Sequence, residues 1–164
     1  MDLAMSVHDR EDFLAGPHVA VVGVVDPRGV RAPLLVPVWY GYQPGGVVTV
    51  QTGRDTIKAQ LIRAAGRFSL CVQDESAPYR YVSVEGPVVA VEDPVPAVTR
   101  GWLAQRYLDV PAAAAYLAAN EHQLVEDVAF LMRPQRWRTA DFSAFAAEFS
   151  RQADLPPNVS TSHC

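Results

Sequence analysis

Apolar and polar positions alternate over most of the first half of the chain, and the alternation is broken by turn residues at short intervals. The Val-rich runs HVAVVGVVD (18–26), VRAPLLVPVWYGY (30–42) and VVTVQTG (47–53) are separated by PRG and QPGG, which predicts three strands in an antiparallel meander. In the first turn Pro27 presets φ and Gly29 is free to take a positive one. Pro33 and Pro37 cannot donate ladder hydrogen bonds, so the second strand is expected to have an open side or a bulge. The period then changes. In TGRDTIKAQLIRAAG (52–66), Ile57, Leu61 and Ala64 recur at helical spacing, Asp55 or Thr56 can cap the helix, and Gly66 is placed to stop it. RFSLCVQD and YRYVSVEGPVVAVED predict two further strands, the second broken at Gly86-Pro87. Residues 95–108 and 111–127 read as helices, VAFLMRP and QRWRTADF as closing strands, and 8–16 as a short leading helix. The order implies a mainly β fold, an antiparallel barrel with added helices; neither GxGxxG nor a P-loop is present to argue for a nucleotide-binding α/β domain. One domain is expected over 1–149, followed by a polar, Pro-rich tail over 150–164 that reads as disordered.

Composition narrows the function. The 164 residues are enough for one well-buried core, with 49% hydrophobic and 20% charged residues. A net charge of −4 argues against a general nucleic-acid binder. No apolar run approaches the ~18 residues of a membrane span, and MDLAMSVHDREDF lacks the apolar core of a secretory signal, so a cytoplasmic protein is expected. Cys71 lies in an apolar strand and Cys164 ends the sequence, which suggests no disulfide framework and a buried, inert thiol at Cys71. His8, His18, His122 and His163 are scattered without metal-ligand spacing, so no metal site is expected. No nucleophile elbow supports a hydrolase.

One residue stands out. Of 14 lysines and arginines, only Lys58 is a lysine, and it sits in the first turn of the helix predicted after Thr56. The helix dipole disfavours a cation there, so Lys58 either points into water or meets an anion that makes the dipole and the ammonium both favourable. In the segment from Gln51 to Lys58 the hydroxyls of Thr52 and Thr56 and free backbone N–H groups converge with the ammonium, a set suited to phosphate or carboxylate, and Arg54 can add a second charge. The other reading is a solvated helix start whose threonines only cap it.

TGRDTIKAQL resembles, with an offset, the pattern T-x-x-x-[ST]-x-K-x-x-[NQ]-L of flavin- and deazaflavin-binding split β-barrel proteins, the pyridoxamine 5′-phosphate oxidase-like superfamily. APLLVPVWYGYQPGGVVTVQTG is similar to the family's second and third strands. RFSLCVQDESAPYRYVSVEGPV is similar to its next hairpin, and LAQRYLD and MRPQRWRTADF resemble the later helix and closing strand of the actinobacterial F-420-dependent branch. The resemblance spans roughly residues 8–142. Where many F-420-type relatives place asparagine, this chain has Gln60, one methylene longer.

The resemblance implies a homodimeric, FMN-binding-like split barrel with its cofactor in a groove between two subunits. The implied cofactor is coenzyme F-420, a deazaflavin, with FMN as the alternative. The implied activity is an oxidoreductase that moves hydride to or from a small organic substrate; a flavin- or haem-binding module without turnover, or a structural dimer with an empty groove, are the alternatives. Carried over by position, Val36, Pro37 and Val38 would lie along the ring, and Gln51, Thr52, Thr56, Lys58 and Gln60 would hold the ribityl-phosphate. Tyr79, Arg80 and Tyr81 would approach from the partner, and Trp137 would wall the ring. Trp39 and Trp137 also read as core or dimer-contact aromatics, and Arg80 as a surface strand residue. F-420 carries an acidic tail beyond its phosphate, for which Arg54, Arg133, Arg136 and Arg138 are the candidate cations.

Overall fold

The computed structural model describes residues 3–153, without the side chains of 148 and 150–153. After helix α1 (Val7–Ala15) come strands β1 (Ala20–Val24), β2 (Leu34–Val38), β3 (Tyr40–Gly41) and β4 (Val48–Gly53). Helix α2 (Ile57–Ala65), β5 (Arg67–Gln73) and β6 (Arg80–Glu92) follow. Then come α3 (Ala97–Tyr107), α4 (Val110–Ala119), a single turn α5 (Glu121–Leu124), β7 (Asp127–Met132), β8 (Arg136–Asp141) and α6 (Ser143–Ala153). The strands pair antiparallel in the order β2-β1-β5-β6-β7-β4-β3, with β8 on the free side of the first half of β6. The two end strands, β2 and β3, are joined through Trp39 alone, so the curled sheet nearly closes on itself. This is a split β-barrel with added helices. Helix α6 reaches into the segment expected as a tail, and residues 154–164, with His163 and Cys164, lie outside the described residues.

The core is the inward half of each alternating strand. Val22, Val24, Tyr40, Val48, Val50, Leu70, Val72, Val82, Val84, Val128, Phe130 and Met132 are all buried, and Leu14 of α1 and Ile62 of α2 join the same cluster. Three expectations need correction. The strand expected over 30–42 is two strands that belong to different parts of the sheet, β2 pairing with β1 and β3 with β4. Pro37 suits β2 to an edge: it lies opposite Val21, and a residue without an N–H costs no ladder bond where no second neighbour exists, while Pro33 precedes the strand.

The second correction concerns Gly86-Pro87, which does not break β6. The strand runs on for 13 residues but changes partners there, pairing with β5 up to Pro87 and with β7 from Val88, with a bulge between Val88 and Ala90. Such a change of sheet needs close backbone approach, and Gly86 provides it: a Cβ at that position would run into the carbonyl oxygen of Arg133. The third is the helix expected over 111–127. It stops at Asn120, whose side-chain amide donates to the Tyr116 carbonyl, and β7 has begun by Asp127.

Helix α3 is bound tightly to the barrel. Gly41 has no Cβ because the ring of Trp102 occupies that space. Arg106 donates to the Leu14 and Ala15 carbonyls at 3.0 and 2.8 Å and to Gly16 O, satisfying carbonyls at the end of α1, and its guanidinium lies over the Tyr40 ring. The Tyr107 hydroxyl donates to His18 O and accepts from Tyr40 N. These contacts fix the α3–α4 pair over the β2–β3 junction, where the site lies.

Candidate functional site

Helix α2 has the ends expected of it. Thr56 is the N-cap and accepts from Ala59 N at 3.2 Å, while Gly66 takes the left-handed conformation at φ 64°. Its phase differs from expectation. Ile57 is 55% exposed and Ala64 is exposed, whereas Ala59, Leu61 and Ile62 are buried. The inward face therefore runs through 58, 61 and 62, at i, i+3 and i+4, and Lys58 is carried inward with the two apolar anchors. Burial pushes the Lys58 ammonium below its ordinary pKa, with Asp127 opposing the shift. Among the described residues Lys58 has no hydrogen bond and no ion pair. Lys58 is thus half-buried at a helix start that Thr56 caps.

Lys58 enters a cleft of about 270 Å³ between the barrel and the helices α3–α5. Strand β2 and the junction contribute Pro37, Val38 and Trp39; Gln51 comes from β4 and Asp127 from the start of β7. Leu103, Ala104, Tyr116, Leu117 and Leu124 form the opposite, largely apolar wall, and Arg100 brings a second cation. Gln51 donates through Nε2 to Asp127 Oδ2 at 2.7 Å, which orients the amide. Trp39 stacks on Tyr107 with ring centroids 4.7 Å apart, and tilts against Tyr116 at 5.6 Å, forming an aromatic rim. The cleft thus combines an apolar and aromatic wall with two cations, an amide and a carboxylate, an arrangement able to hold a ring bearing an anionic arm.

Four of the expected site residues meet here: Pro37, Val38, Gln51 and Lys58. The others are placed differently. Val36 neighbours them on β2 but does not line the cleft. Thr52 is buried and within 3.2 Å of the Thr56 hydroxyl, which itself donates to Gly53 O, so this pair is engaged in shaping the start of α2. Gln60 is exposed and donates to Asp55 O at 3.1 Å. Trp137 packs edge-on to Tyr42 under the guanidinium of Arg10, away from the cleft lining. Arg80 is paired with Asp74 at 2.7 Å and lies over the Phe13 ring, lining a separate cavity with His18. Tyr79 and Tyr81 are exposed on the same strand end. The candidate tail-binding arginines do not line the cleft either: Arg54 pairs with Asp93 and Glu126, Arg136 pairs with Glu85, and Arg133 and Arg138 are exposed.

Arg100 and Asp127 were not singled out from the sequence. The signal for Arg100 was present, because it precedes buried Leu103 and Ala104 by three and four residues, as Lys58 precedes Leu61 and Ile62. Cys71, half-buried, has its thiol pKa pushed up by burial and lines none of this.

No protein-family model and no curated protein matches the chain. Solved structures do. An F420 reductase is 26% identical with a TM-score of 0.61, the match covering 78% of this chain and 94% of that one. A conserved hypothetical protein from Mycobacterium tuberculosis is 20% identical with a TM-score of 0.68, covering 94% and 91%. A protein from Listeria innocua described as a pyridoxamine 5′-phosphate oxidase is 10% identical with a TM-score of 0.51, covering 74% and 87%, a likeness of fold alone. The resemblance read from the sequence is consistent with these neighbours, which include an F420 reductase and, as a likeness of fold, a pyridoxamine 5′-phosphate oxidase. No helix among the described residues is long and apolar enough to cross a membrane.

Proposed function

We propose that this chain is an oxidoreductase that holds a phosphorylated deazaflavin, F-420, in the cleft and exchanges hydride between it and a small organic substrate. FMN on the same residues is the alternative. The observation that carries this reading is Lys58, a half-buried ammonium without hydrogen bond or ion pair, turned into a cleft that also holds Gln51, Arg100 and Asp127 beside an apolar and aromatic wall. A desolvated cation of this kind is stabilised by an anionic ligand. The likeness to an F420 reductase supports a cofactor of the deazaflavin or flavin kind.

When bound, the ring supplies the hydride chemistry. The chain's residues bind and orient. Lys58 takes the phosphate, Gln51 offers its amide from a position set by Asp127, and Pro37 and Val38 present edge-strand backbone beside the ring. Trp39 and Tyr116 limit water access from the rim. No acid–base dyad is required of the protein.

The test is direct titration of purified protein with F-420 and with FMN, followed by fluorescence. F-420 is expected to bind more tightly than FMN; a protein that binds neither would end this reading.

The outer face of the sheet favours a homodimer, with the site shared between copies. Val19, Val21, Leu35 and Tyr81 are all exposed there, and Val21 lies directly opposite Pro37 of the cleft in the ladder. The apolar face and the cleft are therefore continuous, and a second copy on that face would bring residues to the cleft mouth. Sedimentation at micromolar concentration is expected to give a dimer. A monomer alone would remove the shared site, and with it the partner roles of Tyr79 and Arg80.

A further inference from the structure

The first turn of α2 lies in an unfavourable orientation for its own residues. Ile57 is exposed while its neighbour Lys58 is half-buried, so an apolar side chain meets water and a cation leaves it. Leu61 serves either face of the helix. Ala59 and Ile62, both fully buried, favour the observed face from inside the barrel. A second hold acts from outside. Asp93, just beyond the end of β6, takes Arg54 on one carboxylate oxygen, with Nη2 at 2.6 Å and Nε at 2.9 Å. Its other oxygen lies 3.6 Å from Arg63 Nη2. Arg54 precedes α2 and Arg63 is in its last turn, so one carboxylate reaches both ends of the helix.

These side chains are also tied to the backbone around the cleft. Arg63 Nη1 donates to Arg54 O at 2.8 Å, Arg54 N donates to Glu126 O at 2.9 Å, and Arg54 Nη1 lies 3.2 Å from Glu126 Oε2. Glu126 directly precedes Asp127 of the cleft, and Gly53, beside Arg54, pairs with Asp127 in the ladder. A single exposed ion pair contributes little, but a network that shares one carboxylate and holds backbone contributes more. Arg54, Arg63 and Asp93 do not line the cleft, so any effect they have on a ligand there is indirect. We propose that Asp93, through Arg54 and Arg63, is a positioning residue that holds α2 at the roll in which Lys58 faces the cleft. Without this clamp the first turn can roll Ile57 toward the barrel and Lys58 toward water. The consequence for binding rests on the phosphorylated ring compound proposed above; the effect on Lys58 itself does not.

Lys58 is the only lysine of the chain, which makes the test direct. Reductive methylation with isotope-labelled formaldehyde converts its amine to a dimethylamine that still titrates. The carbon signal absent from the methylated Lys58→Arg protein is that of Lys58. Burial holds the Lys58 pKa down, Asp127 of β7 raises it, and Arg100 of α3 is the other charged group lining the cleft. In Asp93→Asn the pKa is expected to rise toward its ordinary value as the ammonium regains water. Loss of a carboxylate alone would act in the opposite sense, because it withdraws a charge that favours the ammonium. Asp93→Glu keeps the charge and is expected to stay close to wild type. FMN and F-420 are expected to bind Asp93→Asn about three- to tenfold more weakly, and riboflavin less than about twofold. A Lys58 pKa unchanged or lowered in Asp93→Asn overturns the proposal, as does a shift in Asp93→Glu equal to that in Asp93→Asn. Should Asp93→Asn fail to fold, Arg54→Gln decides by the same signal, a rise sustaining the clamp and no rise overturning it. A raised pKa with wild-type affinity for FMN and F-420, or with equal loss for all three ligands, overturns the role in binding. If wild type binds none of the three, the function proposed above falls, and the Lys58 signal alone decides the clamp.

Discussion

Lys58→Ala is expected to weaken binding of the phosphorylated cofactor by about 1.5–3 kcal/mol, the range for a hydrogen bond to a charged group, with almost no loss of fold stability. The two halves of that expectation have separate causes. In the free protein the ammonium is half-desolvated, without hydrogen bond or ion pair among the described residues, and burial outweighs its attraction to Asp127, so removing the charge costs the fold little. In the complex it would be matched by phosphate, and the truncated protein would lose that pairing. Lys58→Met keeps the aliphatic stem against the cleft wall and separates loss of charge from loss of packing. Calorimetric titration reads the affinity and a urea transition reads the stability. A folded Lys58→Ala protein with wild-type affinity would reduce Lys58 to a half-buried charge with no ligand.

Gly86→Ala is expected to destabilise the protein by about 2–4 kcal/mol, at or above the usual cost of overpacking. The new methyl would meet the backbone carbonyl of Arg133, which has no rotamer by which to withdraw, and the sulfur of Met132 at 3.0 Å. The carbonyl belongs to the chain just after β7, and Arg133 N is itself bonded to Pro87 O at 3.0 Å, so relief would pull apart the place where β6 changes sheets. The control is the same substitution at Gly101, within α3, where a Cβ would meet nothing within 4 Å. There alanine should stabilise by about 0.5–1 kcal/mol through helix propensity and a less flexible unfolded chain. Equal urea midpoints for Gly86→Ala and wild type would show that the backbone at the switch can yield.

The sequence was legible wherever structure is set by neighbours along the chain. Both ends of α2 could be read because Thr56 and Gly66 act within one helical turn. The inward half of each strand could be read because side chains alternate by residue, and β2 could be recognised as open-sided because Pro37 lacks a donor. Four residues that line the cleft, Pro37, Val38, Gln51 and Lys58, could be named because the order of β2, β4 and α2 follows the split-barrel pattern that the sequence resembles.

Contacts between distant segments decided what could not be read. The spacing of Ile57, Leu61 and Ala64 fits a buried helical face, and so does that of Lys58, Leu61 and Ile62. Local periodicity alone left the choice open, and packing against the barrel selected the second, which turned Lys58 inward. Gly86-Pro87 reads locally as a break, yet β6 continues through it because β5 is left on one side of that point and β7 is gained on the other. Arg100, 42 positions after Lys58 in the numbering, lines the same cleft because α3 is held on the barrel, where Gly41 gives Trp102 room and Arg106 ties α3 to the end of α1. The amino-acid order by itself determined a β-rich barrel, a capped helix beginning beside a lone lysine, and an edge strand of prolines. Which face that helix buries, and which second cation shares its cleft, depended on close packing between elements, where each surface has many compatible partners until the whole chain is in place.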